Sequence, residues 1–395
     1  MNADTGRGTV GGMNHSPYAF IDTAEGLAAL AGRIAAAPRV AIDTEADSLH
    51  HYFEKVCLIQ LSAGGGNWIV DPLAGCDLAL LFRALEGKEL VFHGADYALR
   101  LLRLSCGFRP RGRVFDTMLA ARLLGRERLG LAALAEELLG VTLEKGSQKF
   151  DWSRRPLPPD KLAYAANDTR YLETIADLLL RELRRRGREE WLEETCAALV
   201  LKTGEIAEEA DPDEVWRIKG LKDLRRDQLA LVRALWLWRD AQAREADVPS
   251  FKVLGNEPLI ALALWLHSHP DKHLSRGPRL PRNCVGKRLA ALEKAIGAAR
   301  SLPPGAWPSL PERKRFIPAS AAESERFNRL REAVAGLAAK LELPPSVIAP
   351  QATLWAIVRS AARTEDEIRE KCRLTLWQSR LLSPLARLIH ENQRS

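Results

Sequence analysis

The sequence predicts an α/β region with a mixed sheet, followed by two small regions that are entirely α-helical. Two observations predict this architecture. Strand-like apolar segments alternate with helical patterns in the first part of the chain, and strand signals almost vanish after residue 190. A stretch rich in proline and charge at residues 301–318 then divides the helical remainder into two blocks. The length of 395 residues is sufficient for two or three domains.

Five strands are predicted in the α/β region. Their segments are apolar or β-branched and are bounded by turn residues. Gly64, Gly65 and Gly66 join the second and third segments, and glycine takes the positive φ values that a tight turn requires, so we expect a hairpin there. The predicted strands are RVAIDTEAD (39–47), CLIQLSA (57–63), NWIVDP (67–72), ELVFHG (89–94) and GRVFDT (112–117).

Helical patterns lie between and after these strands. In the α/β region they cover residues 77–85, 97–104, 117–124 and 131–139, and one long pattern runs from 159 to about 187. We expect five successive parts, which are a disordered N-terminus at 1–17, an α/β domain at 18–200, a helical domain at 211–301, a linker at 302–320 and a second helical domain at 321–393.

Composition narrows the classes of function. The formal charge of +7 favours an acidic partner, of which nucleic acid is the commonest, although charge alone is a weak indicator. The six cysteines contain no C-x-x-C pair, which fits neither a zinc site nor a disulfide framework and predicts reduced thiols. No run approaches the roughly 18 apolar residues that a membrane span needs. We expect the polar N-terminus not to act as a secretory signal. We expect a soluble, cytoplasmic protein that does not bind membranes.

The local pattern that most specifically indicates a functional site is AIDTEAD, at the end of the first predicted strand. Asp43 and Glu45 are two residues apart, so their side chains project from the same face of the strand. Neighbouring carboxylates repel each other unless a cation lies between them, and Mg²⁺ and Mn²⁺ prefer such oxygen ligands. The pattern indicates a metal site, and the alternative is a solvated acidic pair.

A second acidic pattern lies on the long predicted helix. Tyr164 and Asp168 are four residues apart in YAANDTRYL, which places them on one face of a helix. A tyrosine hydroxyl one turn from a carboxylate can orient a water molecule. This spacing is common in proteins and becomes informative only because it follows the D-x-E strand.

These motifs together resemble those of a known family. D-x-E, HGADYALRLL (93–102) and Y-x-x-x-D are similar to the three motifs of the DEDDy exonucleases, which have a ribonuclease H-like fold. VFDTMLAARLLG, FDWSRRPL and YAANDTRYL resemble bacterial ribonuclease D. The segment that begins VWRIKGLKDL resembles an HRDC module, and LPPSVIAPQATLWAIV with LTLWQSRLL is similar to a degenerate second copy.

The resemblance implies a hydrolytic 3′-to-5′ exoribonuclease that releases nucleoside 5′-monophosphates. Two divalent ions, Mg²⁺ or Mn²⁺, would clamp the scissile phosphate. Asp43, Glu45 and Asp168 would be metal ligands, and Tyr164 would position the attacking water. The implied partners are RNAs with single-stranded 3′ ends, such as tRNA precursors and other structured RNAs, and the chain is expected to be a monomer.

The middle motif departs from the family pattern. The family carboxylate usually lies five residues after the histidine, and this position is Ala98 here. Asp96 is the only acid in the motif and is the candidate catalytic and metal-binding replacement. The alternatives are a weakened or inactive RNA-binding homologue, or a DNA 3′-to-5′ exonuclease. We expect His93 to be structural and Asp116 to be a helix N-cap.

A basic segment, EKGSQKFDWSRRPL (144–157), precedes the Tyr164 helix. Its candidate RNA-binding residues are Lys145, Lys149, Trp152, Arg154 and Arg155. Cations interleaved with aromatic rings suit a single strand, because phosphates bind the cations while bases stack on the rings. The alternative is a surface loop with the tryptophan packed into the core.

Overall fold

The computed structural model describes residues 18–144, 149–205, 214–310 and 318–391. The predicted disordered N-terminus at 1–17 and Lys145 lie outside these ranges. A six-stranded mixed sheet forms the centre of the first part, with strand order β1-β4-β3-β2-β5-β6. Strand β3 is antiparallel to β2 and β4, and the other pairs are parallel. The strands are β1 (Ala19–Ile21), β2 (Arg39–Ala46), β3 (Val56–Ala63), β4 (Gly66–Val70), β5 (Glu89–Phe92) and β6 (Val114–Asp116).

Eight helices accompany this sheet within the described residues. The mixed α/β architecture that the sequence predicts is confirmed. The sequence analysis missed β1 and the first helix, whose N-cap is Thr23, the hydroxyl of which accepts a hydrogen bond from the Gly26 N–H. The helices are α1 (Ala24–Ala36), α2 (Ala79–Leu85), α3 (Ala95–Cys106), α4 (Thr117–Leu123), α5 (Leu131–Leu139), α6 (Pro159–Arg170), α7 (Leu172–Arg185) and α8 (Glu189–Gly204).

The long helix predicted at 159–187 is two helices. Tyr171 separates α6 from α7 with φ −102° and ψ −4°, which interrupts the regular helical geometry. As a result α6 lies across β2, β3 and β4, whereas α7 packs against β2, β5, α4 and α5. The break therefore allows α6 to cover one face of the sheet independently of α7.

The remainder of the described chain is helical and forms two groups with separate apolar cores. The first helical group (226–300) contains α9 (Arg226–Glu245), α10 (Ser250–Val253), α11 (Asn256–Ser268) and α12 (Lys287–Arg300). The second helical group (321–391) contains α13 (Ala321–Lys340), α14 (Pro345–Ile348), α15 (Gln351–Ser360), α16 (Glu365–Cys372) and α17 (Leu376–Glu391). None of the helices in the described ranges is long and apolar enough to cross a membrane.

The second helical group packs directly on the α/β region. The Trp191 and Trp377 rings stack with centroids 4.6 Å apart and planes 10° apart. The Trp377 backbone N–H donates to the Glu194 carboxylate at 2.9 Å, and its indole N–H donates to the Thr195 hydroxyl at 3.2 Å. An aromatic stack with satisfied polar edges fixes this group to α8.

Candidate active site

The D-x-E motif lies on β2, which pairs with β3 and β5 in the middle of the sheet. Ile42 packs into the main core of the α/β region. Since side chains alternate along a strand, Asp43 and Glu45 project from the opposite face, which α6 covers. The strand thus delivers two carboxylates to the space between the sheet and α6.

Helix α6 carries the other two catalytic candidates, Tyr164 and Asp168. The Ser62 hydroxyl of β3 donates to the Thr169 hydroxyl at 2.7 Å, and both residues are buried. This hydrogen bond anchors the C-terminal turn of α6 on the sheet, directly beside Asp168. The Trp152 ring stacks on the Tyr164 ring with centroids 6.3 Å apart, and this contact restricts the position of the tyrosine ring.

The three carboxylates perturb one another. Burial raises the pKa of Asp43 to about 7. Burial, with added repulsion from Asp43 and Asp168, raises the pKa of Glu45 to about 9. Burial and the Asp43 charge raise the pKa of Asp168 to about 8. Like charges that share a desolvated space favour the protonated forms, and a divalent cation would relieve this repulsion.

Tyr164 belongs to the same electrostatic group. Burial raises its pKa, and the negative charges of Asp168, Glu45 and Asp43 raise it further. Its hydroxyl therefore stays protonated at physiological pH. In that state it can donate one hydrogen bond and accept others, which suits the orientation of a water molecule and does not suit the role of a base.

The donor chemistry of this site fits a hard divalent cation, because carboxylate oxygens are the ligands that Mg²⁺ and Mn²⁺ prefer. No three histidine, cysteine, aspartate or glutamate side chains in the described parts of the chain converge tightly enough to hold an ion as they stand. Binding of an ion to Asp43, Glu45 and Asp168 would therefore require a change in the positions of their side chains.

The structure does not bring Asp96 to the other carboxylates. Asp96 lies in the first turn of α3, its side chain is 48% exposed, and it forms an ion pair with Arg100 at 2.9 Å. It is not among the groups that raise the pKa values of Asp43, Glu45 and Asp168. Because the motif is helical, residues 96 and 98 point about 200° apart. Ala98, at 6% exposure, occupies the buried position on this helix.

Asp116 caps two helices, one of which, α3, carries the middle motif. The Asp116 carboxylate accepts from the backbone N–H groups of Met118 and Leu119, so the predicted N-cap is confirmed. The same carboxylate accepts from the N–H groups of Gly94 and Ala95 at 3.1 and 2.8 Å, and it thereby caps α3 as well.

The His93 ring is half-buried. Its Nδ1 lies 2.9 Å from the Thr117 hydroxyl, which in turn donates to the Phe92 carbonyl. Burial lowers the pKa of His93. A neutral, hydrogen-bonded imidazole in this position agrees with the structural role that the sequence predicts.

The basic segment before α6 requires two corrections. Trp152 is 1% exposed, so its ring packs against Tyr164 and Phe150 and does not stack on RNA bases. Arg155 donates two hydrogen bonds of 2.6 Å to the buried Asp71 carboxylate, so this guanidinium holds the fold together and is not available for phosphates. Lys149 and Arg154 are exposed and remain candidates for RNA binding.

A cleft of about 410 Å³ opens beside Glu45. Phe150 of the basic segment lines it, together with three residues that the sequence analysis missed, Leu49, His50 and Tyr97. The signal that could have identified two of them is position, since Leu49 and His50 directly follow the D-x-E strand. Leu49 and Tyr97 expose apolar or aromatic surface next to the carboxylates.

Residues 47–55, here called the docking loop, include Leu49 and His50. This loop joins the cleft to the first helical group. Asp47 and Lys55 close the loop through an ion pair of 2.6 Å. His51 Nδ1 donates to the Asp247 carboxylate at 2.8 Å, and the Tyr52 and Phe53 N–H groups donate to its other oxygen. The first helical group is therefore attached at the edge of the cleft.

The raised carboxyl pKa values predict how stability depends on pH in the absence of metal. The folded protein keeps protons that the unfolded chain releases above its ordinary carboxyl values near 4, so this contribution to stability falls between about pH 4 and pH 9. Asp43→Asn removes the negative charge that raises the pKa values of both Glu45 and Asp168. We expect it to raise the melting temperature at pH 9 in EDTA by about 3 °C or more, with a smaller difference at pH 5.

Circular dichroism melts at pH 5, 7 and 9 measure this difference. Asp271→Asn, which removes an exposed carboxylate from the first helical group, is the matched control and should follow the natural protein. Equal melting temperatures for the natural protein and Asp43→Asn at pH 9 would contradict the electrostatic coupling.

Two families match the chain. The family described as 3′-5′ exonuclease matches residues 18–184, and the HRDC domain family matches residues 228–267 and 323–379. The chain is 34% identical over 294 residues to ribonuclease D of Gluconacetobacter diazotrophicus, covering 73% of this chain and 74% of that protein. It is 32% identical over 329 residues to ribonuclease D of Xanthomonas oryzae, covering 81% and 86%.

Solved structures agree with the fold. A protein from Bifidobacterium adolescentis superimposes with a TM-score of 0.80 at 27% identity, over 95% of this chain and 97% of that chain. Escherichia coli RNase D superimposes with a TM-score of 0.69 at 23% identity, over 96% of this chain and 100% of that chain. Both likenesses extend through the helical groups as well as the α/β region.

Proposed function

We propose, since the chain belongs to the ribonuclease D family of 3′-to-5′ exoribonucleases, that it hydrolyses the terminal phosphodiester of RNA at the Asp43 site and releases nucleoside 5′-monophosphates. The observation that carries this proposal is the group of three half-buried, mutually repelling carboxylates, Asp43, Glu45 and Asp168, with Tyr164 one helical turn from Asp168. A site of this composition suits phosphodiester hydrolysis because it can bind cations and a water together.

Asp43, Glu45 and Asp168 would hold two divalent ions, Mg²⁺ or Mn²⁺, with water in place of the carboxylate that Ala98 lacks. When bound, such ions lower the pKa of water and stabilise the negative charge of a phosphodiester under attack. The protonated Tyr164 hydroxyl would orient the attacking water by a hydrogen bond. Asp43 would have the central role, because its charge affects both of the other carboxylates.

The cleft beside Glu45 would receive the 3′-terminal nucleotide. Leu49 and Tyr97 offer surfaces against which a base can pack, and His50 lies on the same wall. Lys149 and Arg154 are exposed at the preceding segment and would bind backbone phosphates.

The substrates would be structured RNAs with single-stranded 3′ ends, tRNA precursors among them. The docking loop attaches the first helical group next to the cleft. We infer that this group admits a single strand to the cleft and excludes a duplex. We place this activity in the cytoplasm and assign it to a monomer.

One alternative has a specific observation in its favour. Ala98 leaves the site one carboxylate short, which favours a protein that binds RNA 3′ ends and cleaves them slowly or not at all. A DNA exonuclease is the other alternative. The HRDC-type matches in both helical groups do not separate RNA from DNA, so a direct comparison of substrates is needed.

We expect RNA to be shortened at least about tenfold faster than DNA of the same sequence, because the relatives of this chain are ribonucleases and recognition of the 2′-hydroxyl distinguishes RNA from DNA. Two 5′-labelled oligonucleotides that differ only in their sugars test this in Mg²⁺ and in Mn²⁺. An RNA whose 3′ end is blocked by a phosphate is the control for polarity. Equal or faster shortening of the DNA would reject the RNA assignment.

A further inference from the structure

Gln60 lies in the centre of β3 and is 0% exposed. Neither its amide nitrogen nor its amide oxygen has a hydrogen-bond partner among the described residues. A primary amide can donate two hydrogen bonds and accept two, and its burial without partners is unfavourable. An amide retained in such a position requires an explanation beyond packing.

The strand register places Gln60 directly opposite Asp43. In the antiparallel pair of β2 and β3, Asp43 is the partner of Gln60 and Ala41 is the partner of Ser62. Side chains of directly opposed residues lie on the same face, with Cβ atoms about 4.5–5.5 Å apart. The Gln60 amide and the Asp43 carboxylate therefore emerge side by side.

The neighbours of Gln60 along β3 confirm which face this is. Leu58, two residues before, packs in the small core that contains Trp152 and Ala165, and Ser62, two residues after, donates to Thr169. Ile59 and Leu61 pack on the other side, in the main core. The Gln60 side chain consequently lies under α6, on the face that carries the carboxylates.

We propose that Gln60 is a positioning residue. Its amide N–H, which has no partner in this structure, donates to the Asp43 carboxylate when that carboxylate turns to hold a metal ion, and so fixes its orientation. An amide fits this role better than a cation, since it supplies a hydrogen bond to the ionised carboxylate without competing electrostatically with the metal. Outer-shell hydrogen bonds of this kind fix the orientation of a ligand and contribute to metal affinity. The inference rests on the proposed metal site.

The test is titration of the 395-residue chain with Mn²⁺ alone, by calorimetry, together with metal-free melting curves. Gln60→Leu keeps nearly the same volume and removes both polar atoms. We expect the apparent Kd for Mn²⁺ to rise about 10- to 100-fold, while the metal-free melting temperature is unchanged or higher. Gln60→Met is the second variant and should behave in the same way.

Gln378→Leu is the matched control. The Gln378 amide donates to the Ile348 carbonyl at 3.0 Å within the second helical group, so this substitution should lower the melting temperature and leave the Kd for Mn²⁺ unchanged.

Three outcomes would be informative. Weaker Mn²⁺ binding in both Gln60 variants, with stability retained, supports the inference. An unchanged Kd, or a large loss of metal-free stability in both variants, overturns it and makes the amide a structural group. Absence of Mn²⁺ binding by the natural protein would instead reject the proposed metal site, and the Gln60 inference with it.

Discussion

Asp43→Asn is expected to lower the rate of nucleotide release from the 3′ end of RNA by roughly 10³-fold or more, because several kcal/mol of transition-state stabilisation depend on bound cations and each 1.4 kcal/mol corresponds to about tenfold. Asp43 is the residue to change, since its charge raises the pKa of both Glu45 and Asp168. Asparagine keeps the shape of the side chain and removes the negative charge.

Single-turnover digestion of a 5′-labelled RNA in Mg²⁺ measures this loss. The variant should melt at least as high as the natural protein without metal, so a loss of activity would not reflect unfolding. Asp271→Asn again serves as the control, with full activity expected. If Asp43→Asn degrades RNA at a rate close to that of the natural protein, the catalytic site lies elsewhere.

Ala98→Asp should have the second largest effect, a gain in the rate of nucleotide release of about 10- to 10³-fold, the range that corresponds to roughly 1.4–4 kcal/mol. Ala98 is buried on α3, and Asp116 fixes the start of this helix through the N–H groups of Gly94 and Ala95. A carboxylate at position 98 would supply the ligand that the middle motif of the family usually contains.

The matched control is Ala98→Asn, which has nearly the same volume as the aspartate and no charge. Only the aspartate variant should gain activity, and its affinity for Mn²⁺ should rise in parallel. Equal rates for the aspartate and asparagine variants, or a loss of activity in both, would show that position 98 does not face the site. It would then matter only for the packing of α3.

The features that sequence reasoning predicted depend on local periodicity. Asp43 and Glu45 share a face because side chains alternate along a strand, and Tyr164 and Asp168 share a face because a helix turns every 3.6 residues. The Asp116 cap was predictable because it too is local: the N–H groups that a cap binds lie only two and three residues away.

The features that sequence reasoning missed depend on pairing across long stretches of chain. The sequence alone predicts Arg155 as an exposed cation, because its partner Asp71 is 84 residues away. The sequence alone does not distinguish Gln60 from other strand residues, because only the strand register shows that it lies opposite Asp43. Strand β1 was missed because its three residues are too few to show alternation.

We propose that this chain, with three carboxylates and Ala98 in its middle motif, is a metal-dependent 3′-to-5′ exoribonuclease. The most direct measurement is digestion of a 5′-labelled RNA with a single-stranded 3′ tail by the natural protein, in Mg²⁺, in Mn²⁺ and in EDTA. A ladder that shortens stepwise from the 3′ end with either metal, and is absent in EDTA, is the predicted result. Intact RNA under all three conditions, with cleavage only by Ala98→Asp, would contradict the claim and identify an RNA-binding protein that has lost its activity.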